Sequence, residues 1–388
     1  MELNPISDLK IERMLTFLRR AMLRDTLSGK TEEKGWEFST ALARQCFANE
    51  YIFSETTEEK TAVEHLERQI EALVEKKLGV PPSLVVALAA YRPLYKFSWA
   101  QELSERKWAG TLKQVIELQI SEPLEEQSLR QQIPRLTAIE GTVSQSVRQQ
   151  YEENPYPRWV KTAVRDKGLA IRAVLHGSPL RLDLGDYASP EEPEILVAGC
   201  GTGQHALGTA SRFLNARVFA VDLSLSSLSY ALRKSNELDL PPIEFAQADI
   251  MELGNLERRF DLIECSGVLH HLGDPMVGWR VLVNLLRPGG LINIGLYSEI
   301  ARQDIVRGRS LISEKGYTTH RALRRHWSLH HPASGTQHDG CPAQCSMRDN
   351  VDRARHSGRT GNRVPRRRGI YRDKYTSHWC CTDVWRDC

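Results

Sequence analysis

The sequence predicts an α/β fold: a doubly wound, mainly parallel sheet preceded by an α-helical domain. Three observations predict it. Glu194-Ile195-Leu196-Val197-Ala198 is a short apolar run, the length of a strand buried on both faces. It leads into glycines at alternate positions, Gly199, Gly201 and Gly203. Further short apolar runs come after it, most of them separated by helical patterns, which is the alternation of strands with crossover helices.

From the start to about residue 145 the pattern is helical. Ile11, Met14, Leu15, Leu18 and Met22 recur on one face, and Val63, Leu66, Ile70, Leu73 and Val74 on another. Leu84 to Ala90, after Pro81-Pro82, reads as a compact apolar helix, and Leu112 to Ile120 as one more. Proline pairs and polar clusters separate these helices, and no internal period links them. The plain expectation is an accessory domain packing on the sheet domain. The sharper one is a module that recruits a protein partner or a substrate.

Tyr151 to Trp159 holds Tyr151, Tyr156 and Trp159 together with Pro155 and Pro157. The prolines hold an extended or turning backbone there. The segment reads either as a lid whose aromatics wall a bound ligand, or as a linker that docks by them.

Past the glycines, Ala206, Leu207, Ala210, Phe213 and Leu214 are spaced for a helix over Gln204 to Leu214. Strand, turn and helix together make a cradle, because glycine lets the backbone approach a ligand that a Cβ would block. The second strand, Ala216 to Val221, ends at Asp222, about 20 residues on, where a ribose-binding acid is expected. Ile243 to Ala248 is a third strand ending at Asp249, Phe260 to Cys265 a fourth and Gly290 to Tyr297 a fifth. Gly273-Asp274-Pro275 opens a helix over Met276 to Leu286, and Arg287-Pro288-Gly289-Gly290 ends it and turns into the fifth strand.

The stretch from about Tyr151 to Tyr317 resembles a class I S-adenosylmethionine-dependent methyltransferase. The residues that carry the resemblance are Val197-Ala198-Gly199-Cys200-Gly201-Thr202-Gly203, Asp222, Ala248-Asp249-Ile250, Val268-Leu269-His270-His271-Leu272 and Leu286-Arg287-Pro288-Gly289-Gly290. Gln150 to Trp159 resembles the entry of a bacterial subgroup whose methyltransferase domain is joined to helical, often repeat-containing, segments. The resemblance implies a Rossmann-like sheet and S-adenosyl-L-methionine as cofactor. It implies that Gly199, Cys200, Gly201 and Gly203 pass the amino-acid and ribose parts of that cofactor. Asp222, followed by Leu223, would take the ribose hydroxyls, and Asp249 with Ile250 would edge the adenine. Asp222 read alone could instead cap the helix after Ser224, and Asp249 could be a turn or cap residue.

Ligands in such sheets sit beyond the carboxyl ends of the strands, which puts Cys265, Ser266, His270 and His271 near the donor methyl. His270 or His271 is then a candidate catalytic base, although the family often uses such residues to shape the pocket. Cys200 and Cys265 read as small buried residues rather than nucleophiles, and Glu264 as a pocket acid. Methyl transfer from a sulfonium is an in-line displacement, a positioning task that needs neither metal nor covalent nucleophile.

The function expected is therefore methyl transfer from S-adenosylmethionine to an unidentified small-molecule or protein acceptor. The fold hosts O-, N-, C- and S-methylation alike, so the acceptor atom is not legible. A nicotinamide-dependent oxidoreductase is the alternative, but the glycine spacing departs from Gly-x-Gly-x-x-Gly and the Leu-His-His-Leu motif goes unexplained. A non-catalytic helical partner-binding protein with a degenerate cofactor domain is the third reading.

Three regions are expected: an α-helical accessory domain over 1–145, the methyltransferase domain over 146–318, and a tail over 319–388. The net charge of the 388 residues is +3, but the tail holds thirteen Arg and one Lys against six Asp and no Glu, so the body is mildly acidic. An acidic body argues against a nucleic-acid partner. The tail also carries Cys341, Cys345, Cys380, Cys381 and Cys388, and apolar periodicity ends there. A zinc site built on Cys341 and Cys345 or a basic nucleic-acid-binding arm would account for part of this. Out-of-frame text accounts for all of it, and predicts disorder and a sheet lacking its final strands. No apolar stretch is long enough for a membrane helix, and Met1 to Pro5 lacks the basic-then-apolar pattern of a signal peptide. Cys46, Cys200 and Cys265 are scattered, which argues against a disulfide framework and for a reducing cytoplasm.

Overall fold

The computed structural model describes residues 6, 8–30, 35–177, 185, 187, 189–238, 240–298, 300–314 and 316. The expectations for 319–388, including Cys341 and Cys345, lie outside the described residues. Five strands, β1 (Glu194–Ala198), β2 (Arg217–Asp222), β3 (Ile243–Gln247), β4 (Phe260–Ser266) and β5 (Leu286–Gly295), pair in the order β3-β2-β1-β4-β5. All pairings are parallel. The chain winds outward through β2 and β3 on one side of β1 and through β4 and β5 on the other. The order therefore switches between β1 and β4, and ligands of doubly wound sheets bind outside the carboxyl ends at such a point.

The four apolar residues of β1 explain why it lies at the centre. Ile195 and Val197 join one core layer and Leu196 and Ala198 the other, each at most 1% exposed. An alternating strand would bury only one face; this unbroken run buries both. Helices Gln204–Arg212 and Leu225–Asn236 cover the first layer, and Pro275–Asn284 the second.

The boundaries of the sheet elements differ most from expectation at two places, each for a local reason. The helix after the glycines stops at Arg212 rather than Leu214, because Phe213 turns extended and bridges Leu169. The Leu214 amide then donates to the Leu169 carbonyl at 2.9 Å. At β5, the strand begins at Leu286 instead of Gly290. Leu286 pairs with Phe260, the register then shifts, and Leu291 pairs with Leu262. Arg287-Pro288-Gly289-Gly290 is thus an irregularity inside the strand, with Gly289 at φ 78°, not a separate turn before it.

At the far edge β3 is extended by the chain upstream. Arg135 bridges Gln247 in parallel, the Leu136 amide donates to the Gln247 carbonyl at 2.9 Å, and the Gln247 amide donates to Pro134 at 2.8 Å. Among the described residues the sheet ends at β5 on the other side.

The described residues divide into two compact units: those of 95–106 and 116–296, which hold the sheet, and those of 1–94, 107–115 and 297–316. In the second of these, helices Leu9–Leu27, Trp36–Ala48, Thr57–Glu75 and Pro82–Ala89 form a bundle. Thr56 starts the third with a reciprocal cap: the Glu59 amide donates to Thr56 Oγ1 at 3.2 Å and the Thr56 amide to Glu59 Oε2 at 2.8 Å. Its buried face is Val63, Leu66, Ile70 and Val74, with Glu59. The first helix buries a different stripe from the one its apolar residues outline. Leu15, Thr16, Arg19 and Leu23 are buried, while Ile11 and Met14 are exposed. Arg19 is drawn inside because its charge is met there. Its guanidinium lies over the Tyr91 ring, donates to the Ser54 carbonyl at 2.8 Å and stands 3.8 Å from the Glu59 carboxylate. Further along, the helix expected over Leu112 to Ile120 forms as Gly110–Ile116 continued by a π-helical turn, Glu117–Ser121.

Candidate active site

The turn after β1 is built on backbone that only glycine adopts easily. Gly199, Gly201 and Gly203 have φ of 74°, 53° and 84°. Two of the three are also fixed by close packing. A Cβ on Gly199 would lie 2.3 Å from Val268 Cγ2, and one on Gly203 would lie 2.5 Å from Ala231 Cβ. At Gly201 the nearest atom to such a Cβ is the Tyr156 carbonyl oxygen at 3.5 Å, so there a side chain would fill the cradle rather than the core. The Gly203 carbonyl accepts the Leu207 amide as the helix Gln204–Arg212 begins.

Asp222, at the carboxyl end of β2, faces this turn. Its Oδ2 accepts the Gly201 amide at 2.8 Å and its Oδ1 the Ser224 amide at 2.9 Å. The cap of the helix Leu225–Asn236 is Ser224, whose hydroxyl accepts the Ser227 amide at 3.0 Å, and not Asp222. Burial pushes the Asp222 carboxyl above its usual range, against the pull of the Ser224 and Gly201 amides, and the Glu152 carboxylate adds to the rise. Leu223 is half-buried, and its carbonyl accepts Gln247 Nε2 at 2.8 Å. Asp249, 2% exposed after β3, caps the 3-10 turn Ile250–Asn255, its Oδ1 accepting the Met251 amide at 3.0 Å. Ile250 is buried beside it.

Beyond β4 the chain runs through Ser266 and Gly267 into a 3-10 turn, Leu269–His271. The His270 and His271 rings are half-buried and lie 4.2 Å apart between centroids, tilted by 53°. The turn meets the glycine loop through Val268, as the Gly199 contact shows. Cys200 and Cys265 are both buried. Burial raises the Cys200 thiol well above its ordinary pKa and pushes Cys265 up to about 12, so neither is a thiolate near neutrality. Glu264 is not a pocket acid in contact with solvent. It is 3% exposed and tied to Arg212 at 2.5 Å, Thr209 Oγ1 at 2.5 Å and His205 Nε2 at 3.2 Å, which fastens the helix Gln204–Arg212 to β4.

The segment Tyr151–Trp159 lies on the glycine loop. Thr202 Oγ1 donates to the Pro157 carbonyl at 2.6 Å, and Trp159 Nε1 donates to the Thr202 carbonyl at 3.1 Å. Trp159 is buried, its own carbonyl accepting the Tyr230 hydroxyl, while Tyr151 and Tyr156 are half-buried. Two contacts that no sequence motif signalled hold the neighbouring loops. Glu152 accepts the Leu225 amide at 2.6 Å, the Ser226 amide at 3.3 Å and the Ser226 hydroxyl at 2.7 Å, while pairing with Arg130 at 2.5 Å. Thr137 Oγ1 accepts the Asp249 amide at 2.8 Å. The loops after β1, β2 and β3 are thus all held by residues of 134–159: Pro157 and Trp159, Glu152, and Thr137.

A second cleft lies at the opposite, amino-terminal ends of β1 to β3. Its charges are matched: Arg258 reaches Glu244 at 2.6 Å and Glu194 at 3.0 Å, and Arg217 reaches Glu192 at 2.7 Å. It has no glycine turn, so the chemistry belongs to the carboxyl ends.

A parallel sheet in this order, with a three-glycine turn after β1 and acids closing β2 and β3, defines a class I S-adenosylmethionine-dependent methyltransferase domain. The cofactor fits: the open side of Gly201 gives room for its amino-acid and ribose parts, and the Asp222 carboxylate retains acceptor capacity beyond two amides. A methyltransferase-domain family matches residues 195–290. An uncharacterised protein of Synechococcus sp. is 39% identical over 114 residues, 29% of this chain and 27% of that protein. The ubiquinone biosynthesis O-methyltransferase of Chromobacterium violaceum is 33% identical over 129 residues, 33% of this chain and 54% of that enzyme. The trans-aconitate 2-methyltransferase of Deinococcus radiodurans is 36% identical over 110 residues, 27% of this chain and 39% of that enzyme. This chain spans about half the length, or less, of the curated relatives it matches. Among solved structures, an S-adenosylmethionine-dependent methyltransferase from Clostridium acetobutylicum is 29% identical, covering 30% of this chain and 47% of that one, with a TM-score of 0.27. Among the described residues no helix is long and apolar enough to cross a membrane, and no cluster of metal-binding side chains is present.

Proposed function

We propose that the whole protein transfers a methyl group from S-adenosylmethionine to a small-molecule or protein acceptor. The observation that carries this reading is the bond between the Asp222 carboxylate and the Gly201 amide. It puts an acid for ribose hydroxyls against the one glycine whose missing Cβ leaves the cradle open. The cofactor, when bound, supplies an electrophilic methyl group on sulfur. This chain supplies position. Gly199, Cys200, Gly201 and Gly203 line the amino-acid and ribose parts, Asp222 and Leu223 the ribose, Asp249 and Ile250 the adenine, and Cys265 the floor near sulfur. His270 or His271 takes the acceptor proton where the acceptor is a hydroxyl or amine. Asp249 serves the turn first, through its cap, and the adenine amine second.

Oxygen acceptors are the first class to screen, because relatives of the matched segment include O-methyltransferases. The helical bundle is read as the module that recruits a protein partner or the substrate. The mildly acidic charge of residues 1–318 speaks against a nucleic-acid partner, and three buried free thiols, Cys46, Cys200 and Cys265, accord with a reducing cytoplasm. Calorimetric titration of the full chain with S-adenosylhomocysteine, with NADH as control, tests the reading. Micromolar binding of the first and none of the second is expected; NADH binding without S-adenosylhomocysteine binding overturns it.

A further inference from the structure

Thr202 and Gly203 share a peptide in the turn after β1, and both of its polar atoms are engaged. The Gly203 amide donates to the Cys200 carbonyl at 3.0 Å, and the Thr202 carbonyl accepts Trp159 Nε1 at 3.1 Å. The first bond is internal to the turn. The second comes from outside it, so the orientation of this peptide depends on where the indole is held. Because the peptide is planar, a rotation that moved the carbonyl would also re-aim the Gly203 amide and displace the start of the helix Gln204–Arg212.

The indole is held from the helix Leu225–Asn236. The Tyr230 hydroxyl donates to the Trp159 carbonyl, and the two rings meet edge to face, with centroids 6.1 Å apart and planes at 71°. Both residues are buried. Burial pushes the Tyr230 hydroxyl above its ordinary range, so it keeps its proton and donates. The next residue, Ala231, is the one that a Cβ on Gly203 would strike at 2.5 Å. The helix thus reaches the turn twice, directly at Gly203 and through Trp159 at Thr202.

Tyr230 is in turn held by charge. The Arg233 guanidinium lies 5.1 Å and that of Arg158 5.9 Å from its ring centroid, and Lys234 Nζ lies 5.6 Å from the Trp159 ring. Arg233 is buried, and three carboxylates meet it: Glu122 at 2.8 Å, Glu126 at 3.0 Å and Glu237 one turn on. Glu122 and Glu126 belong to the helix Glu122–Leu129, well upstream of the matched segment. A buried guanidinium met by three acids keeps its place, and the phenol packed against it shares that constraint.

We propose that Tyr230 is a positioning residue of the cofactor site, acting through Trp159 on the peptide between Thr202 and Gly203. This rests on the cofactor reading above. Tyr230 is buried and its hydroxyl is taken by Trp159, so it acts on the backbone that receives the ligand and not on the ligand. The hydroxyl fixes the Trp159 main chain, the indole N–H then reaches Thr202, and the turn keeps the shape that presents the open side of Gly201. Phenylalanine at this position keeps the ring and its cation contacts and deletes only the donor.

The test titrates S-adenosylhomocysteine calorimetrically into the full-length wild-type chain, Tyr230→Phe, Trp159→Phe and the double variant. Each single change should weaken binding by about threefold to tenfold. The double variant should lie within about twofold of the weaker single, because the two groups act in series. Ile243→Val, in the core at the amino end of β3, is the control for stability alone: it should lower the thermal midpoint and leave the dissociation constant within about twofold. Hydrogen exchange of the ligand-free turn, residues 199–207, should quicken in Tyr230→Phe and not in Ile243→Val. An unchanged dissociation constant in Tyr230→Phe overturns the assignment, as do losses that multiply in the double variant or a loss in Ile243→Val equal to that in Tyr230→Phe. A wild-type chain that does not bind S-adenosylhomocysteine removes the cofactor reading, and the assignment with it. Wild-type binding with a Tyr230→Phe turn that exchanges no faster overturns the assignment alone.

Discussion

The carboxylate of Asp222 accepts the amide of Gly201 at 2.8 Å, so the end of β2 and the turn after β1 move as one piece. Asp222→Ala should therefore do two things. It should weaken S-adenosylhomocysteine binding by about tenfold or more, by removing the ribose acceptor. It should also lower stability by about 1–3 kcal/mol, because two amides lose their partner. The raised carboxyl pKa adds a sign: the charged form is the better ribose acceptor, so wild-type affinity should fall on acidification, and earlier than for an ordinary carboxylate. Titration calorimetry from pH 8 to about 4 checks this; affinity flat across that range counts against it.

The glycines of the turn should separate by what a methyl group would meet. Gly203→Ala places Cβ against Ala231, and Gly199→Ala places it against Val268, so both should lower thermal stability by several degrees. Gly201→Ala meets only the Tyr156 carbonyl at 3.5 Å. It should fold at a cost of about 1–2 kcal/mol for the left-handed backbone and lose cofactor binding instead. Thermal melts and S-adenosylhomocysteine titration of the three variants distinguish the two outcomes.

Glu264 should make the fold acid-sensitive. Burial alone would raise its carboxyl, but His205, Arg212 and Thr209 hold it down at about 2, from an ordinary 4.5. A depressed folded pKa stabilises above the unfolded value, and that contribution fades as pH falls from about 4.5 toward about 2. Two and a half pH units correspond to about 3 kcal/mol. Glu264→Gln should be less stable near neutrality by a similar amount and lose less on acidification. Urea denaturation at pH 7, 4 and 3 reads the difference; parallel losses in both proteins would refute the assignment.

Trp159 ties the upstream segment to the glycine loop by its indole N–H as well as by burial. Trp159→Phe keeps an aromatic six-membered ring but deletes the donor together with the five-membered part of the indole. A loss of about 2–4 kcal/mol is expected, since the Thr202 carbonyl is left unpaired and a small cavity opens beside it. Cofactor affinity should fall with it, because that carbonyl belongs to the turn. Unchanged affinity would show that the segment docks without shaping the site.

In the helical bundle, Glu59 takes Tyr91 Oη at 2.7 Å and Arg20 Nε at 3.0 Å, and it faces the fully buried Arg19. Glu59→Ala leaves that guanidinium buried without its counter-charge. A loss of about 3–5 kcal/mol is expected, far more than for an exposed pair. Replacing Arg19 and Glu59 together by Met and Gln should cost less than the single change, which a double-mutant cycle measures.

Much of the sheet was legible because its signals are local. Buried parallel strands are continuous apolar runs, and Ile195 to Ala198 reads that way without help, whereas Phe260 to Cys265 is interrupted by Asp261 and Glu264. The positive-φ turn was legible because only glycine adopts it cheaply, and the acids because they close strands. The features that were not legible depend on partners distant in sequence. Arg19 is polar by composition yet lies in a core stripe, because Tyr91, Ser54 and Glu59 come to it. Glu264 read as a pocket acid and is a clamp, because Arg212 and His205 reach across from the helix after β1. Thr137 gave no signal at all, and Glu152 lay in the noted stretch Gln150 to Trp159 without a role of its own. Each acts by accepting backbone amides, and any acceptor of similar reach would serve.

The tethers from 134–159 bear on how such a domain can be moved between proteins. The matched segment begins at residue 195, yet Thr137, Glu152 and Thr202 with Pro157 fix the loops that surround the ligand. A transplant cut at the family boundary would carry four strands and only the first half of β5, and would leave their rims loose. The smallest portable cassette starts at Pro134, where the chain first joins the β3 edge. Substitutions between Pro134 and Trp159 therefore act on the cofactor rim, even though they lie outside the matched segment.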